Sequence, residues 1–535
     1  MIGKSVPLDS SEPTALLAQN RTYFDRAACA ALNAARLGRS EQAMLWAKLA
    51  ADCAWAMHPG FYSYPSLEAM LRELGRNLTG TPPVVTPSLP GRKGDKKTWL
   101  HLITTASSTG GHTRLVERMI VNTSAVSDDI HSVLLINQEK EPIPSWLGEA
   151  VESSGGTMIE LPREFSLTDR ARAARQIAFD WADRIILHVH PNDPVPSVAF
   201  ALPGGPPVVF LNHADHVFWL GAGCVDVVAD IRLEGHELTV TRRGGAPSKI
   251  LPIPLISSAS SRSATEAKSS LGISDSTVVL LAIAQSYKFA PYGEVDFPAN
   301  AVKILHRHKD AILLVVGPEE TDPHWQNALL HSGDRIRLLG GQKDIEQYFA
   351  AADICLESYP IGSLTSTFDA MLRGVPVIRS PRGTPPIFTM SDYDGLGDTA
   401  SNNEEYLRMV SALITDSSSR KEAGDRQRDA VTDIHTGTGW CDAWQRLLAS
   451  IPFSHAPLDI KWGHHWENFS DLDLVWSDLQ TRQFVVPLDR ESFFKKKKRR
   501  LHRDSSRGFL FLKLLSSVLH GNLKVARILL RNITH

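Results

Sequence analysis

The hydrophobic rhythm divides the chain into four blocks. From about Thr14 to Leu78, apolar residues recur at helical spacing in DRAACAALNAARLGRSEQAMLWAKLAADCAWAMHPG, with Gly38 and Pro59 as breaks. Alanine, leucine, methionine and arginine favour helix, so this stretch predicts a helical pair. It has the look of one helix–turn–helix unit of the tetratricopeptide kind. One unit is too little for a repeat array, and the plainer expectation is a helical appendage packed on the next domain. A Pro/Gly/Lys-rich linker, TGTPPVVTPSLPGRKGDKK, follows.

The rhythm then switches to short apolar runs separated by amphipathic stretches. WLHLITTAS, HSVLLINQ, TMIELP, RIILHVHP, PPVVFLNH and VDVVADI read as buried strands. The stretches from Thr113, near Trp146 and over Thr168–Asp183 read as the helices between them. Buried strands alternating with helices predict a parallel, doubly wound sheet. A Ser-rich connector, SSASSRSATEAKSS, leads to a second set: STVVLLAIA, AILLVVG, RIRLLG, DICLES and VPVIRS, with a helix over Asn300–His308. The expected organisation is a helical block with linker at 1–95, α/β domains at 96–255 and 256–451, and an extension at 452–535. Two-domain dehydrogenases share this coarse pattern, so periodicity alone does not choose among functions.

The extension loses the α/β rhythm. It holds KWGHHWENF, the basic run Lys495–Arg500 and the cationic, amphipathic FLFLKLLSSVLHGNLKVARILLRN. Residues 495–531 suit peripheral contact with an anionic membrane surface, or a helix packed on the protein with a solvated charged face.

Composition narrows the setting. The 535 residues are 43% hydrophobic and 22% charged, with a net charge of −2 that gives no reason to expect a nucleic-acid partner. Five cysteines, Cys29, Cys53, Cys224, Cys355 and Cys441, show no CxxC spacing, which suits reduced thiols and no zinc site. The polar start, MIGKSVPLDSSEPT, has no apolar signal-peptide core, and no apolar run approaches the ~20 residues of a membrane span. The expectation is a cytoplasmic protein, with the basic tail reaching the inner face of the membrane as a further expectation.

Two stretches carry candidate chemistry. AIAQSYKFAP, Ala282–Pro291, follows a strand and should form a loop at its carboxyl end, where open α/β sheets bind ligands. Lys288 there is a compact positive charge suited to a diphosphate, and Gln285 adds an amide donor. The second stretch, DICLESYPIGSLTSTFDAMLRGVPVIRSP, reads as strand, loop, helix and strand. Gly362 permits a tight turn, and Ser363, Thr365, Ser366 and Thr367 crowd the helix start with hydroxyls. Free backbone N–H groups and the positive end of the helix dipole converge there, so an anion is the natural occupant. Asp369, one turn on, is placed to accept from ribose hydroxyls. Without a ligand the same hydroxyls would serve as an ordinary helix cap.

Taken together, the two stretches resemble one family. Gln285-Ser-Tyr-Lys288-Phe-Ala-Pro291 is similar to the Q-x-Y-K-x-x-P element of the O-linked N-acetylglucosamine transferases and their bacterial relatives. Glu357 through Asp369 resembles that family's D-x-x-P-x-x-x-x-T-T-x-x-D element, with Glu357 in place of Asp and Ser366 in place of Thr. Lys343 falls near a further family lysine, with spacing different by about one residue. The resemblance covers the third block well and the second in outline. It implies a GT-B fold, two tandem Rossmann-like parallel-sheet domains, and a UDP-sugar donor. By the same resemblance Gln285 and Lys288 would contact phosphate, Lys343 the nucleoside, Thr365 and Ser366 the diphosphate, and Asp369 the ribose. It also implies that no divalent ion or cofactor is required and that transfer is inverting. The E-x7-E element of retaining GT-B families is incomplete here, with Ile361 where its first glutamate would stand.

Catalytic candidates in the second block are looser. His112, in TTASSTGGHTRL, and His213, in LNHADHVFWLG, are candidates for the base that takes the acceptor's proton, since imidazole titrates near neutral pH. His213, Asp215 and His216 make a weak metal motif, and a cleft loop contacting sugar or acceptor is the preferred expectation. His188 and His190 are expected to be core or loop histidines. The expected function is metal-independent transfer of a sugar from a nucleotide-diphosphate donor to an acceptor glycan, lipid-linked glycan or protein, with Lys288 stabilising the leaving group. The alternatives are a nucleotide-sugar epimerase on the same scaffold, which needs no acceptor, and a non-catalytic GT-B-like binding or scaffold protein, which need not bind the nucleotide.

Overall fold

The computed structural model describes residues 11–82, 89, 95–108, 111–138, 141–256, 262–383, 385–390, 395–461, 469–483 and 490–504. Its frame is two parallel sheets. The first comprises β1 (Thr98–Ile103), β2 (Ile130–Leu135), β3 (Met158–Glu160), β4 (Arg184–His188), β5 (Val208–Asn212), β6 (Val227–Asp230) and β7 (Ser248–Ile250), in the order β3-β2-β1-β4-β5-β6-β7. The second comprises β8 (Val278–Ile283), β9 (Ala311–Val316), β10 (Ile336–Leu338), β11 (Ile354–Leu356) and β12 (Val377–Ile378), in the order β10-β9-β8-β11-β12. Every ladder is parallel.

The apolar runs became these strands because both sheet faces are covered. All residues of β1, β2, β5, β6 and β9 are buried. β7 had no such signal. Its three residues are half-buried or exposed, and they are recruited by the ladder that pairs Val228 with Ser248. Residues that follow β1 and β11 meet between the two sheets, where Arg118 pairs with Asp369 and Thr365 lies against Gly111.

The N-terminal block is an appendage to the first sheet. Helices Ser11–Arg36 and Ser40–Ala56 form a pair, turning at Gly38 (φ +69°), and a third helix spans Pro65–Arg76. Phe24, Ala47, Met57 and Leu71 share one core with Leu100, Leu102, Ile185 and Phe210, so the helices cover a face of that sheet. Gly75 fits flush: a Cβ there would lie 2.3 Å from the Val198 carbonyl oxygen and 2.4 Å from the Ala201 methyl. Buried Glu68 accepts the Gly221 N–H at 2.8 Å and the Gly223 N–H at 3.2 Å.

The chain then returns. Helix Gly437–Leu448 lays Trp444 against Trp99 of β1, ring centroids 5.1 Å apart, and the Trp440 indole donates to the Pro252 carbonyl. His455 bridges the Asp226 carboxylate (2.7 Å) and the Phe200 carbonyl (2.8 Å). Helices Asp471–Gln483 and Arg490–Asp504 lie against the N-terminal block. In the latter, Phe494 is buried and Arg26 pairs with Glu491, while Lys495, Lys496, Lys498 and Arg499 are exposed. Residues 462–468 and 505–531, which hold most of KWGHHWENF and the amphipathic tail, lie outside the described residues.

Candidate functional site

The cleft wall of the second domain is built by the loops after β8 and β11. After β8 the chain makes one tight turn, Ser286–Phe289, which exposes Gln285 and directs Lys288 inward. The Lys288 ammonium donates to the Gly362 carbonyl at 2.7 Å. Burial, followed by the nearby Arg232 charge, lowers its pKa from 10.5 to about 8, with Glu357 opposing.

Gly362 is required by close approach. Its N–H bonds the Phe388 carbonyl at 2.6 Å, and a Cβ would lie 2.4 Å from a Glu357 carboxylate oxygen. Glu357 is fully buried and accepts the N–H groups of Ser380 and Met390, both at 2.8 Å. It staples this loop to its neighbours and does not face the cleft.

Helix Leu364–Leu372 starts directly after the loop. Ser363 sits at the cap position, but its side chain caps no amide. It accepts instead from the Ser366 hydroxyl, 2.9 Å away, which also lies 2.9 Å from the Ile283 carbonyl. Thr367 is buried and turns its hydroxyl back to the Ser363 and Leu364 carbonyls. The first amides of a helix have no acceptor within it, so backbone N–H groups and Lys288 supply the positive character at this corner. Thr365 faces the other domain: its hydroxyl would be 2.9 Å from a Cβ on Gly111. Lys343 stands on an exposed loop after β10.

Asp369 is engaged across the cleft. Arg118, on helix Gly111–Ser124 of the first domain, donates to its two carboxylate oxygens at 3.0 and 3.2 Å. A second strut lies nearby. Arg232 grips the buried Asp215 carboxylate at 2.6 and 3.0 Å and reaches over to the Ile387 and Thr389 carbonyls. Burial would raise the Asp215 pKa, yet Arg232 and His216 hold the carboxyl well below the usual range. The HxxH segment is thereby organised by an arginine. Among the described residues, no group of three or more His, Cys, Asp or Glu is arranged to hold a metal ion.

The first domain presents a cluster of imidazoles. His112 donates through Nε2 to the His188 carbonyl at 2.7 Å, and its ring lies 4.2 Å from that of His213 and 5.8 Å from that of His190. Behind them His188, His101 and His131 form a buried row with successive ring-nitrogen distances of 2.9 Å, ending on Thr123 at 3.1 Å. Thr123 spends its proton on the Met119 and Ile120 carbonyls, so His131 donates to it through Nε2. Each neutral imidazole then donates through Nε2 and accepts through Nδ1, leaving the His188 Nδ1 as a buried lone pair with no partner among the described residues. Burial lowers the pKa of His112, His188, His190 (to about 3) and His213, and the neighbouring rings add to it for the last three. The cluster is neutral at pH 7.

The structure thus brings Lys288, Gly362, Ser363, Thr365 and Ser366 to one corner of the cleft, with His112 and His213 on the opposite domain. Thr367 points into its own helix. The pairing of Arg118 with Asp369 and of Arg232 with the Ile387 and Thr389 carbonyls was not legible in the sequence, because those partners lie far along the chain, and Asp215, close to Arg232 in the chain, read only as part of a weak metal motif. A buried-looking strand end followed by Arg, as in VVADIR, was the available signal for Arg232.

Residues 278–416 match the family described as "Glycosyl transferases group 1". No curated protein matches the chain in sequence. Among solved structures, a glycosyltransferase from Rickettsia africae ESF-5 aligns at 12% identity and TM-score 0.51, covering 66% of this chain and 98% of its own. A mutant O-GlcNAc transferase from Thermobaculum terrenum aligns at 14% identity and TM-score 0.47, covering 82% of this chain and 83% of its own. Anabaena HepE in complex with UDP and glucose aligns at 12% identity and TM-score 0.48, covering 66% and 99%. With two parallel-sheet domains and this match in the second of them, the chain has a GT-B fold and carries a group 1 glycosyl transferase domain at 278–416.

Proposed function

We propose that the chain transfers a sugar from a UDP-linked donor to an acceptor hydroxyl, without a divalent ion and with inversion. The observation that carries this is the corner where the Lys288 ammonium, 2.7 Å from the Gly362 carbonyl, meets the start of helix Leu364–Leu372. Cleavage of the anomeric carbon–oxygen bond places negative charge on the departing diphosphate. A preformed cation and aimed backbone amides stabilise that charge without reorganisation, usually the largest contribution to such catalysis. This supplies the function that a metal ion has elsewhere. The likeness of Gln285–Pro291 and Glu357–Asp369 to the O-GlcNAc transferase elements supports uridine as the base. In this reading Gln285 joins the phosphate contacts, Lys343 approaches the nucleoside, and Asp369 exchanges Arg118 for the ribose hydroxyls.

The acceptor's proton goes to His112 or His213. Both are neutral and stand opposite the diphosphate corner, and the His112 Nε2–H is held by the His188 carbonyl, which leaves its Nδ1 as the basic atom. The acceptor class is a glycan, a lipid-linked glycan or a protein. The exposed Lys495, Lys496, Lys498 and Arg499 support a peripheral contact with an anionic membrane surface. No helix among the described residues is long and apolar enough to cross a membrane.

A thermal-shift series across UDP, GDP, ADP and their sugars tests the donor. Ligand stabilisation grows with the logarithm of concentration over Kd, so UDP and one UDP-sugar should stand apart. Equal, negligible shifts with every nucleotide would refute the proposal.

A further inference from the structure

The helix Asp471–Gln483 belongs to the extension, outside the matched segment 278–416, yet it sits where the N-terminal block and both α/β domains meet. Its two faces have different partners. The polar face is fastened to the N-terminal half. Buried Asp473 takes the His58 Nε2 at 2.8 Å and Arg242 at 3.0 Å. The Gln480 side chain accepts from the His58 N–H and donates to the Trp55 carbonyl, both at 2.5 Å, and Asn20 donates to Ser477 at 3.2 Å.

The apolar face meets the second domain. Val475, Trp476 and Leu479 form one cluster with Val217 of the first domain and with Tyr292, Ile361, Ile387 and Phe388 of the second, and Tyr287 packs at its edge. The Trp476 ring stacks on Phe388 at 4.8 Å and 29°, with His216 edge-on at 5.3 Å. These contacts fall beside the residues of the diphosphate corner. Tyr287 precedes Lys288, and Ile361 precedes Gly362, whose N–H is held by the Phe388 carbonyl. The Ile387 and Thr389 carbonyls hold Arg232.

We propose that this helix is a positioning element of the leaving-group site: fastened through Asp473 to the N-terminal half, it braces through Trp476 the loops that carry Lys288 and Gly362. The physical basis is rigidity. Short loops at a cleft cannot fix an ammonium and a row of amides by themselves, and an error of about 1 Å in such a site costs around a hundredfold in rate. A large, stiff indole stacked on Phe388 removes that freedom, and its helix is anchored by buried Asp473, held by His58 Nε2 and Arg242. Trp476 is buried, so it acts through the loops and not by touching a substrate.

The inference rests on the diphosphate corner proposed above, and its test separates the two. UDP binding is measured by calorimetry on the full chain for wild type, Trp476→Leu, Trp476→Phe and Phe388→Leu, with hydrogen exchange over 286–292 and 358–363. The expected result is a rise in the UDP Kd of about tenfold for both leucine variants, the size of coupling that residues without ligand contact can carry. Exchange in the two loops should quicken, and Trp476→Phe should bind as wild type does. Should Trp476→Leu fail to fold, Phe388→Leu decides, since it removes the stack from the other side and leaves the helix and its anchor intact. Folded leucine variants with wild-type Kd and unchanged loop exchange would overturn the brace. A wild-type chain that binds no UDP would sink the diphosphate reading instead.

Discussion

Replacing Lys288 by methionine should stabilise the empty protein and abolish nucleotide binding. The ammonium donates to the Gly362 carbonyl, and its pKa falls from 10.5 to about 8 through burial and then the Arg232 charge. Each pKa unit corresponds to roughly 1.4 kcal/mol, so holding this charge costs the fold about 3 kcal/mol at pH 7. Methionine keeps most of the stem's volume and removes the charge. The Gly362 carbonyl loses a partner, a loss of about 1 kcal/mol. The net gain is about 2 kcal/mol, which at about 2–4 °C per kcal/mol is a Tm several degrees higher for the domain concerned. The sign against pH follows from the same shift. A lysine with a depressed folded pKa is charged in both states below pH 8. Between pH 8 and 10.5 only the unfolded chain holds its proton, so this group makes wild type gain stability as pH rises through that window. Bound UDP should restore the charge and flatten that rise. Differential scanning fluorimetry of both proteins at pH 7 and 9.5, with and without UDP, measures all of this. A Lys288→Met protein that melts lower than wild type and still shifts with UDP would refute the reasoning.

Three further outcomes follow from close contacts and exposed charge. Gly362→Ala should drive a methyl against the Glu357 carboxylate, 2.4 Å from the new Cβ, costing about 1–3 kcal/mol in chemical denaturation and removing UDP binding with it. Gly75→Ala should lift the third helix off the Val198 carbonyl, lowering stability by a similar ~1–3 kcal/mol while leaving any UDP-induced shift intact, because the contact is remote from the cleft. Changing Lys495, Lys496, Lys498 and Arg499 to glutamine should reduce sedimentation with anionic vesicles by an amount that salt also removes, with only a small fall in Tm from loss of the Lys495–Glu491 pair and the Lys498 contact with the Trp46 ring; equal sedimentation would discard the membrane contact.

How far residues alone carried the account depended on distance along the chain. The runs that became β1, β2, β5, β6 and β9 were legible because strands covered on both faces are apolar throughout. β7 was not, since Ser248, Lys249 and Ile250 are partly solvated and take strand form only from β6. The loop and helix after β11 were legible as a tight turn and a hydroxyl-rich helix start, from Gly362 and the residues Ser363–Thr367. The directions of those hydroxyls were not: Ser366 and Thr367 turn theirs to backbone carbonyls, a choice made by helix geometry and the neighbouring β8. The extension looked separate because its composition changes, yet Asp473 and Trp476 fasten it to both halves.

Two parallel-sheet domains and the helical character of the N-terminal block could be read from the residues alone, because these rest on local spacing, burial pattern and the chemistry of short segments. The electrostatics between the two domains came from folding. Arg118 meets Asp369 from 251 positions away, and Arg232 meets the Thr389 carbonyl from 157. Charges that pair over such separations leave no periodic trace in a sequence, and the folded backbone alone sets which of them meet.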